Sequence, residues 1–516
     1  MPALARPAPA RGARAVALIC GAAPLVPLLL IGGMGVLDGC TGQQGDAPAA
    51  ADASRTEDGN VDVDSNRPAD AAVEATVPSL GPAILPTFFG KHWHKITDWP
   101  TTKFGAGAIG PGINWALVET QRGTYDYSPI DTWVAAAKSP GHGQDLTWMY
   151  AAIRTPLWAG GTGSPPTDLY TTAPCEGSLA GVTTTDCAFK EFLTSVLDHA
   201  CTGTAPNKTC SFKSWELHNE GNASDAAWGG TYAELAQMDS DALVTIKSHC
   251  ASCLVLSSNV SAGGDGYHAK GLTSPRYDVF MRAYLDEWQK LGTPMPDVLA
   301  WHPYPSHDNI ASVPFPETLD GSACLSPAPN KVCVETIVSQ VQKMRGIADA
   351  HGMQGRALWA TEGSFGPNSA LPDADARAAY VARWLLALAG GGVERSYWYA
   401  WDDPTWATEL INGQLTSVAI AAEQVYDWLV GNSFDAPCSN GSSGTVWTCN
   451  LKGPGGLLES IVWDTSGPSA YTVPPNYDVA RDLGGPTRRS VSNPVTIGLK
   501  PMAFTNRSAA RPTDGG

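Results

Sequence analysis

The sequence predicts an α/β fold: a closed (β/α)8 barrel of parallel strands and outer helices, followed by a small C-terminal antiparallel β-sandwich. Three observations predict it. Short apolar runs alternate with amphipathic helical stretches along most of the chain, and strand–helix alternation builds parallel sheets. Eight such runs can be found, the number that closes a barrel. After residue 430 the helical period disappears, and short β-like runs separated by Gly and Pro turns take over.

The chain begins with an export segment, residues 1–40. Arg11 and Arg14 precede an apolar run over 15–37 that ends in Leu37-Asp38-Gly39-Cys40. A basic start followed by an apolar stretch reads as a secretory signal. The Leu-x-Gly-Cys ending resembles a bacterial lipobox, although Asp38 stands where a small residue is usual. The run is also long enough to span a bilayer as an uncleaved helix. We read it as a lipoprotein signal with Cys40 as the lipidated residue, so the membrane enters only through an N-terminal lipid or helix anchor. Residues 41–82, rich in Ala, Asp, Gly and Pro and poor in large apolar side chains, cannot bury enough surface to fold and form an acidic linker.

The barrel is assigned to residues 83–430. Its strands are read at 85–94, 104–109, 146–154, 212–220, 254–259, 298–304, 357–362 and 396–401. Helices are read at 130–138, 188–199, 232–248, 277–290, 336–351, 374–388 and 414–430. The strand-to-helix loops 155–186 and 305–332 are unusually long, and in such barrels these loops open on the face where chemistry occurs. The sandwich is assigned to 431–510, with strands at 445–451, 458–463, 469–473 and 494–498.

Ten of the twelve cysteines fall into close pairs: Cys175/Cys187, Cys201/Cys210, Cys250/Cys253, Cys324/Cys333 and Cys438/Cys449. Close pairs in an exported chain read as disulfides, and the chain is placed in the cell envelope or at the cell surface. A crossed pairing among Cys201, Cys210, Cys250 and Cys253 stays open, because both pairs lie in loops at the same end of the barrel. Zinc is the competing reading, but no Cys-x₂-Cys is matched by a second at the right spacing.

The formal charge of −17 argues against nucleic acid and against adhesion to anionic lipid. The 18 Trp and 15 Tyr supply ring faces that pack on sugars, though the same rings are ordinary core material. The chemistry concentrates at two strand ends. In "SWELHNEGN", Asn219 and Glu220 end the fourth strand, and in "LWATEGSFG", Glu362 ends the seventh. Two carboxylates facing one barrel mouth are the equipment for glycosidic bond cleavage, one protonated and one ionised. A lone strand-end Glu more often pairs with a base or caps a helix; two in matched positions point to catalysis.

"FFGKHWH", "TPLWA", "WELHNE", "HPY", "LWATEG" and "YWYAWDD" together resemble glycoside hydrolase clan A, most closely family 39 and also family 5, over residues 84–430. The resemblance implies a retaining glycosidase with Glu220 as acid/base and Glu362 as nucleophile. Asn219 would bind the sugar 2-hydroxyl and Tyr304 would donate to Glu362. His92, His94 and His302 read as sugar-hydroxyl ligands; the alternative of a metal site lacks a completing carboxylate. Trp398 and Trp401 end strand eight, one as a platform under the sugar and the other as core, with Trp401 preferred as platform. Trp158 is either loop wall or packing. The chain departs from the clan in two places. His218 and Gly221 flank Asn219-Glu220 where Trp and Pro are usual, and His218 is placed to touch the acid/base. Strand two, "KFGAGAIGPG", lacks the Arg that many members carry near the nucleophile, and Arg154 is the available substitute. The expected partner is a carbohydrate, with no cofactor, no metal and a monomeric state. The competing function is a non-catalytic carbohydrate-binding lipoprotein on a degenerate barrel.

Overall fold

A computed structural model describes residues 81–506 except 110–112, 149–153, 224–226, 263–275, 305–315, 317–335, 442–443 and 486–487. The export segment with Cys40, the linker up to residue 80, most of the 305–332 loop and the Cys324/Cys333 pair lie outside the described residues.

Eight parallel strands close into a barrel in which each pairs with its sequence neighbours and the last pairs with the first. They are β1 (Phe89–His92), β2 (Ala106–Ile109), β3 (Asp145–Trp148), β4 (Ser214–Glu216), β5 (Leu254–Leu256), β6 (Val298–Trp301), β7 (Ala357–Gly363) and β8 (Arg395–Trp398). The outer helices are α1 (Ser128–Ala137), α2 (Cys187–Ala200), α3 (Tyr232–His249), α4 (Tyr277–Lys290), α5 (Ile337–Ala350), α6 (Ala374–Gly390) and α7 (Ser417–Leu429). Between β1 and β2 the chain makes only a 3-10 turn at Ile96–Asp98.

Alternation along each strand sorts side chains between two cores. Outward residues such as Trp148, Trp215, Trp301, Leu358 and Trp398 join the helices in one large cluster. The barrel interior holds Ala106, Ala108, Leu256, Val298, Ala300, Trp359 and Tyr397. That interior is partly polar. Thr147 Oγ1 lies 2.8 Å from both Ser214 Oγ and Tyr397 OH, and Glu216 is wholly buried above them.

Helix starts follow their caps. Thr231 and Glu234 form a reciprocal capping box before α3, and Asp373 accepts from Ala376 N before α6. The last barrel helix begins at Ser417 rather than at 414. Asn412 and Gly413 have φ of 51° and 74°, the left-handed conformation of a tight hairpin turn, so Leu410–Ile411 pairs with Gln414–Leu415 as a ribbon before the helix can start.

Beyond α7 the chain forms β9 (Ser433–Phe434), β10 (Val446–Gly453), β11 (Leu457–Asp464), β12 (Ser469–Tyr471), β13 (Val479–Asp482), β14 (Arg488–Ser490), β15 (Val495–Ile497) and β16 (Met502–Thr505). Six of them make one antiparallel sheet in the order β9-β10-β11-β16-β13-β14, and β12 pairs with β15. Val462, Val473, Ala480, Val495, Ile497, Met502 and Phe504 fill the space between the two layers. The sequence reading missed β9, β13, β14 and β16; of these "RRS" in β14 is polar at the sheet edge, and "VARD" in β13 buries only Ala480 although it pairs with both β14 and β16. The sandwich is fastened to the barrel by backbone bonds between Ile84 and both Gly431 and Asn432. Gln424 on α7 adds bonds to Asp482 O and Gly484 N.

Disulfides join Cys175–Cys187, Cys201–Cys210, Cys250–Cys253 and Cys438–Cys449. The pairing is local, and the crossed alternative does not occur. Cys175–Cys187 closes the long loop after β3, whose Ala173–Pro174 and Thr183–Thr184 segments also pair. Each bridge contributes about 2–3 kcal/mol by restricting the unfolded chain. Peptide mapping without reductant is expected to return these four pairs together with Cys324–Cys333; ten free thiols would contradict an oxidising compartment.

Candidate active site

The C-terminal ends of β4, β6 and β7 converge on one cluster of ionisable groups. Past β4 the chain turns sharply, and Glu220 sits at φ 46°, the left-handed region that costs a non-glycine residue about 1–3 kcal/mol. Asn259, three residues beyond β5, holds it there. Its Oδ1 accepts from Glu220 N at 2.7 Å, its own N–H donates to His218 O at 3.1 Å and its carbonyl accepts from Gly221 N at 3.3 Å. Asn222 and Ser261 add a second, two-way clasp between the same loops at 2.8 and 2.9 Å. Gly221 is required by packing, because a Cβ there would stand 2.9 Å from the Phe280 ring. That contact leaves no room for the proline the clan pattern carries at this point.

On β7 the pairing with β8 shifts register between Ala360 and Gly363. Strict alternation would send adjacent Thr361 and Glu362 to opposite faces; a local irregularity re-aims one of them. Thr361 points into the barrel and Glu362 reaches the mouth. Tyr304 OH donates to Glu362 Oε1 at 2.6 Å. His302 Nδ1 lies 2.9 Å from Glu220 Oε1 and 4.0 Å from Glu362 Oε2. One oxygen of each Glu and a ring nitrogen of His302 fall within 4.8 Å of one another.

Electrostatics separates these groups. Burial works against charge on His302, but Glu362 and Glu220 outweigh it and raise its pKa above the ordinary histidine value. Burial and the neighbouring Glu362 carboxylate keep the Tyr304 phenol far above its usual range, so it remains a donor. His92 is pushed down to about 3 by burial, and its Nε2–H donates to Thr361 O at 2.7 Å.

The sequence-predicted residues fall into three groups. Glu220, Glu362, His302 and Tyr304 come together as described. Asn219 sits beside Glu220 half-buried, and its Oδ1, itself buried, accepts no hydrogen bond from the described protein. His94 is part of the mouth: its Nδ1 lies 3.1 Å from Asp402 Oδ1 and its Nε2 3.2 Å from Tyr399 OH. Beside it opens a cavity of about 310 Å³ lined by Ile96, Ser128, Pro129, Thr132 and Trp133.

Others take different positions from those expected. His92 is 1% exposed and braces the strand before Glu362 rather than facing the mouth. His218 donates to Ala227 O at 3.3 Å and packs edge-on against Trp228, with its pKa lowered to about 4 by burial. It is a neutral core residue turned from the acid it was expected to touch. Trp401 is 0% exposed under the Lys91–Glu409 ion pair, with Lys91 Nζ 5.1 Å from its ring. Trp398 packs on Trp384 and Phe365 and donates to Ala407 O. Both are core, and neither offers a ring face. Trp158 packs on Trp115 and donates to Glu119 O. Arg154 is half-buried, and its guanidinium makes no bond to either Glu among the described residues; Tyr304 and His302 supply the polar support near Glu362.

Sequence reasoning missed Glu216, Asn259, Tyr399, Asp402 and Trp406. Tyr399 and Trp406 are the half-buried rings at the mouth, the latter 6.2 Å from Tyr304. The signal for Glu216 was present, since it lies four residues before Glu220 on the inward-facing alternation. Glu220, His302 and Glu362 carry donors that suit a divalent cation; in this arrangement they bond instead to one another and to Tyr304.

No family model matches the chain, and no curated protein matches it. Solved structures do. A bifunctional glucanase-xylanase from a metagenome library matches at TM-score 0.54 and 12% identity, over 83% of this chain and 97% of that one. A glucosidase from Croceicoccus marinus matches at 0.52 and 13%, over 83% and 97%. A glycoside hydrolase family 44 endoglucanase from Clostridium acetobutylium matches at 0.51 and 16%, over 83% and 97%. At these identities the likeness is one of fold, and this chain has the barrel-plus-sandwich fold of those proteins.

Proposed function

We propose that this chain is an exported, retaining glycoside hydrolase that cleaves O-glycosidic bonds of a poly- or oligosaccharide by double displacement. The observation that carries the reading is the approach of Glu220 and Glu362 to within 4.8 Å through oxygens that have different partners. Retaining sites hold their carboxyls about 5–5.5 Å apart, whereas inverting sites need about 6.5–9.5 Å to admit water. A binding protein has no use for two carboxylates forced together at the cost of mutual repulsion.

In the first step Glu362, which accepts a hydrogen bond from the Tyr304 hydroxyl, attacks the anomeric carbon. Glu220 gives its proton to the departing oxygen as the glycosidic bond breaks. In the second step Glu220 takes a proton from water, the water oxygen bonds to the anomeric carbon and the ester to Glu362 breaks. Asn219 binds the sugar 2-hydroxyl, a contact that tightens as the ring flattens. Tyr399, Trp406 and His94 line the approach. The fold neighbours named for glucanase, xylanase and glucosidase activity make glucose- and xylose-based substrates the first to try. The test is turnover on a panel of aryl glycosides and polysaccharides, with the anomer of the first-formed product read by NMR. Retention supports the reading; inversion, or no turnover on any member, sinks it.

The four disulfides fit an oxidising compartment, and the basic and apolar N-terminus supports export. Mass spectrometry of the mature protein is expected to find a lipidated N-terminal Cys40. An intact N-terminus starting at Met1 would replace the lipid with a helix anchor.

A further inference from the structure

A third carboxylate lies directly beneath the pair. Glu216 is 0% exposed inside the barrel, where an isolated ionised carboxylate is expensive. Its Oε1 accepts from Thr361 Oγ1 at 2.7 Å. Thr361 is the residue immediately before Glu362, and its carbonyl is held by His92 from the opposite side. Glu216 therefore completes a chain, His92–Thr361–Glu216, that fixes the β7 backbone at the point where its register shifts. It also acts through space on His302, whose Nε2 is buried without a hydrogen-bond partner and whose Nδ1 holds Glu220.

Building on the glycosidase reading, we propose that Glu216 is a positioning residue: through Thr361 it seats Glu362, and through its charge it sustains the protonated form of His302 that governs proton exchange at Glu220. The groups that face His302 are Glu220 and Glu216 from β4, Glu362 from β7, His92 from β1 and Tyr304 just beyond its own strand. The three carboxylates favour the imidazolium, and His92 opposes it only weakly because it is itself neutral. Burial pushes Glu216 up to about 7, against the pull of His302 and the Thr361 bond. Glu216 thus ionises within the range in which a glycosidase works. Below that pH it is neutral and adds little; above it, its negative charge raises the proton affinity of its neighbours.

The sign follows for Glu216→Gln, which keeps an acceptor for Thr361 but never ionises. Its kcat/KM profile is expected to coincide with wild type on the acid side. On the alkaline side the limb moves to lower pH by about one unit, with about a tenfold loss of kcat/KM there. In full-length protein carrying isotope-labelled histidine, the His302 resonance, assigned by its loss in His302→Gln, should titrate about one unit lower in Glu216→Gln. Superimposable profiles and unchanged His302 titration would overturn the proposal, as would a uniform loss at every pH, which is what a merely structural residue produces. Thr361→Val, which leaves Glu216 in place, is expected to lower kcat with KM little changed; an unaltered kcat would overturn the seating role. The NMR arm needs no turnover, so failure of the glycosidase reading and failure of this inference remain distinguishable.

Discussion

Glu362→Gln is expected to lower turnover by about four orders of magnitude, or about 5 kcal/mol in activation free energy, while leaving the fold unchanged. Gln preserves the acceptor for Tyr304, whose hydroxyl lies 2.6 Å from the carboxylate, so the local packing has no reason to shift. What is lost, on the glycosidase reading, is the carboxylate assigned to bond to the anomeric carbon. The covalent step then has no nucleophile, and no substrate with a better leaving group rescues it, because the missing event is bond formation rather than departure. In the wild type, a fluorinated glycoside of the right sugar should trap an ester on the peptide containing Glu362. A label on a different acid, or a loss below tenfold in the variant, would remove Glu362 from this role.

Glu220→Gln is expected to act selectively. Substrates whose leaving group needs protonation should slow by about 10³-fold, whereas activated aryl glycosides keep much of the first step. Their second step still lacks its base, so the intermediate accumulates and KM falls. In Glu220→Ala the truncated side chain leaves room for azide, which should restore rate and yield a glycosyl azide with retained configuration. Asn219→Ala should depress kcat more than it raises KM, because its contact strengthens only as the ring flattens. Equal losses on all leaving groups with no azide response would move the acid/base elsewhere. The left-handed backbone at Glu220 adds a further expectation: Asn259→Ala, which removes the acceptor of the Glu220 N–H, should mimic a weakened Glu220 variant without touching substrate.

The barrel was legible because it is written locally. Runs such as 254–259 and 298–304 carry apolar residues at strand spacing, and stretches such as Tyr277–Lys290 and Tyr232–His249 carry helical spacing, the latter behind a Thr231–Glu234 capping box. Strand–helix alternation then admits few topologies. The strands β13 and β14 were not legible, since their largely polar residues look like loop. The start of α7 was misplaced because the Asn412-Gly413 turn outcompeted the apolar pattern around it.

What the amino-acid order determined by itself was the barrel's strand–helix order and the arrival of Glu220, Glu362, His302 and Tyr304 at the ends of their strands. These follow from periodicity and short-range spacing, which act between residues close in sequence. The pairing of Cys201, Cys210, Cys250 and Cys253, by contrast, was decided by the structure. What only the tertiary structure decided was which side chains face the mouth and which are sealed beneath it. His92, His218, Trp398 and Trp401 stand within two residues of positions that do reach the mouth, yet a register shift, a left-handed turn at Glu220 and the packing of Trp228 and Trp384 turn them inward. Asn259 and Glu216 entered the site for the converse reason. Their partners lie 39 and 145 residues away along the chain, and only closure of the barrel brings strands four, five and seven to one point.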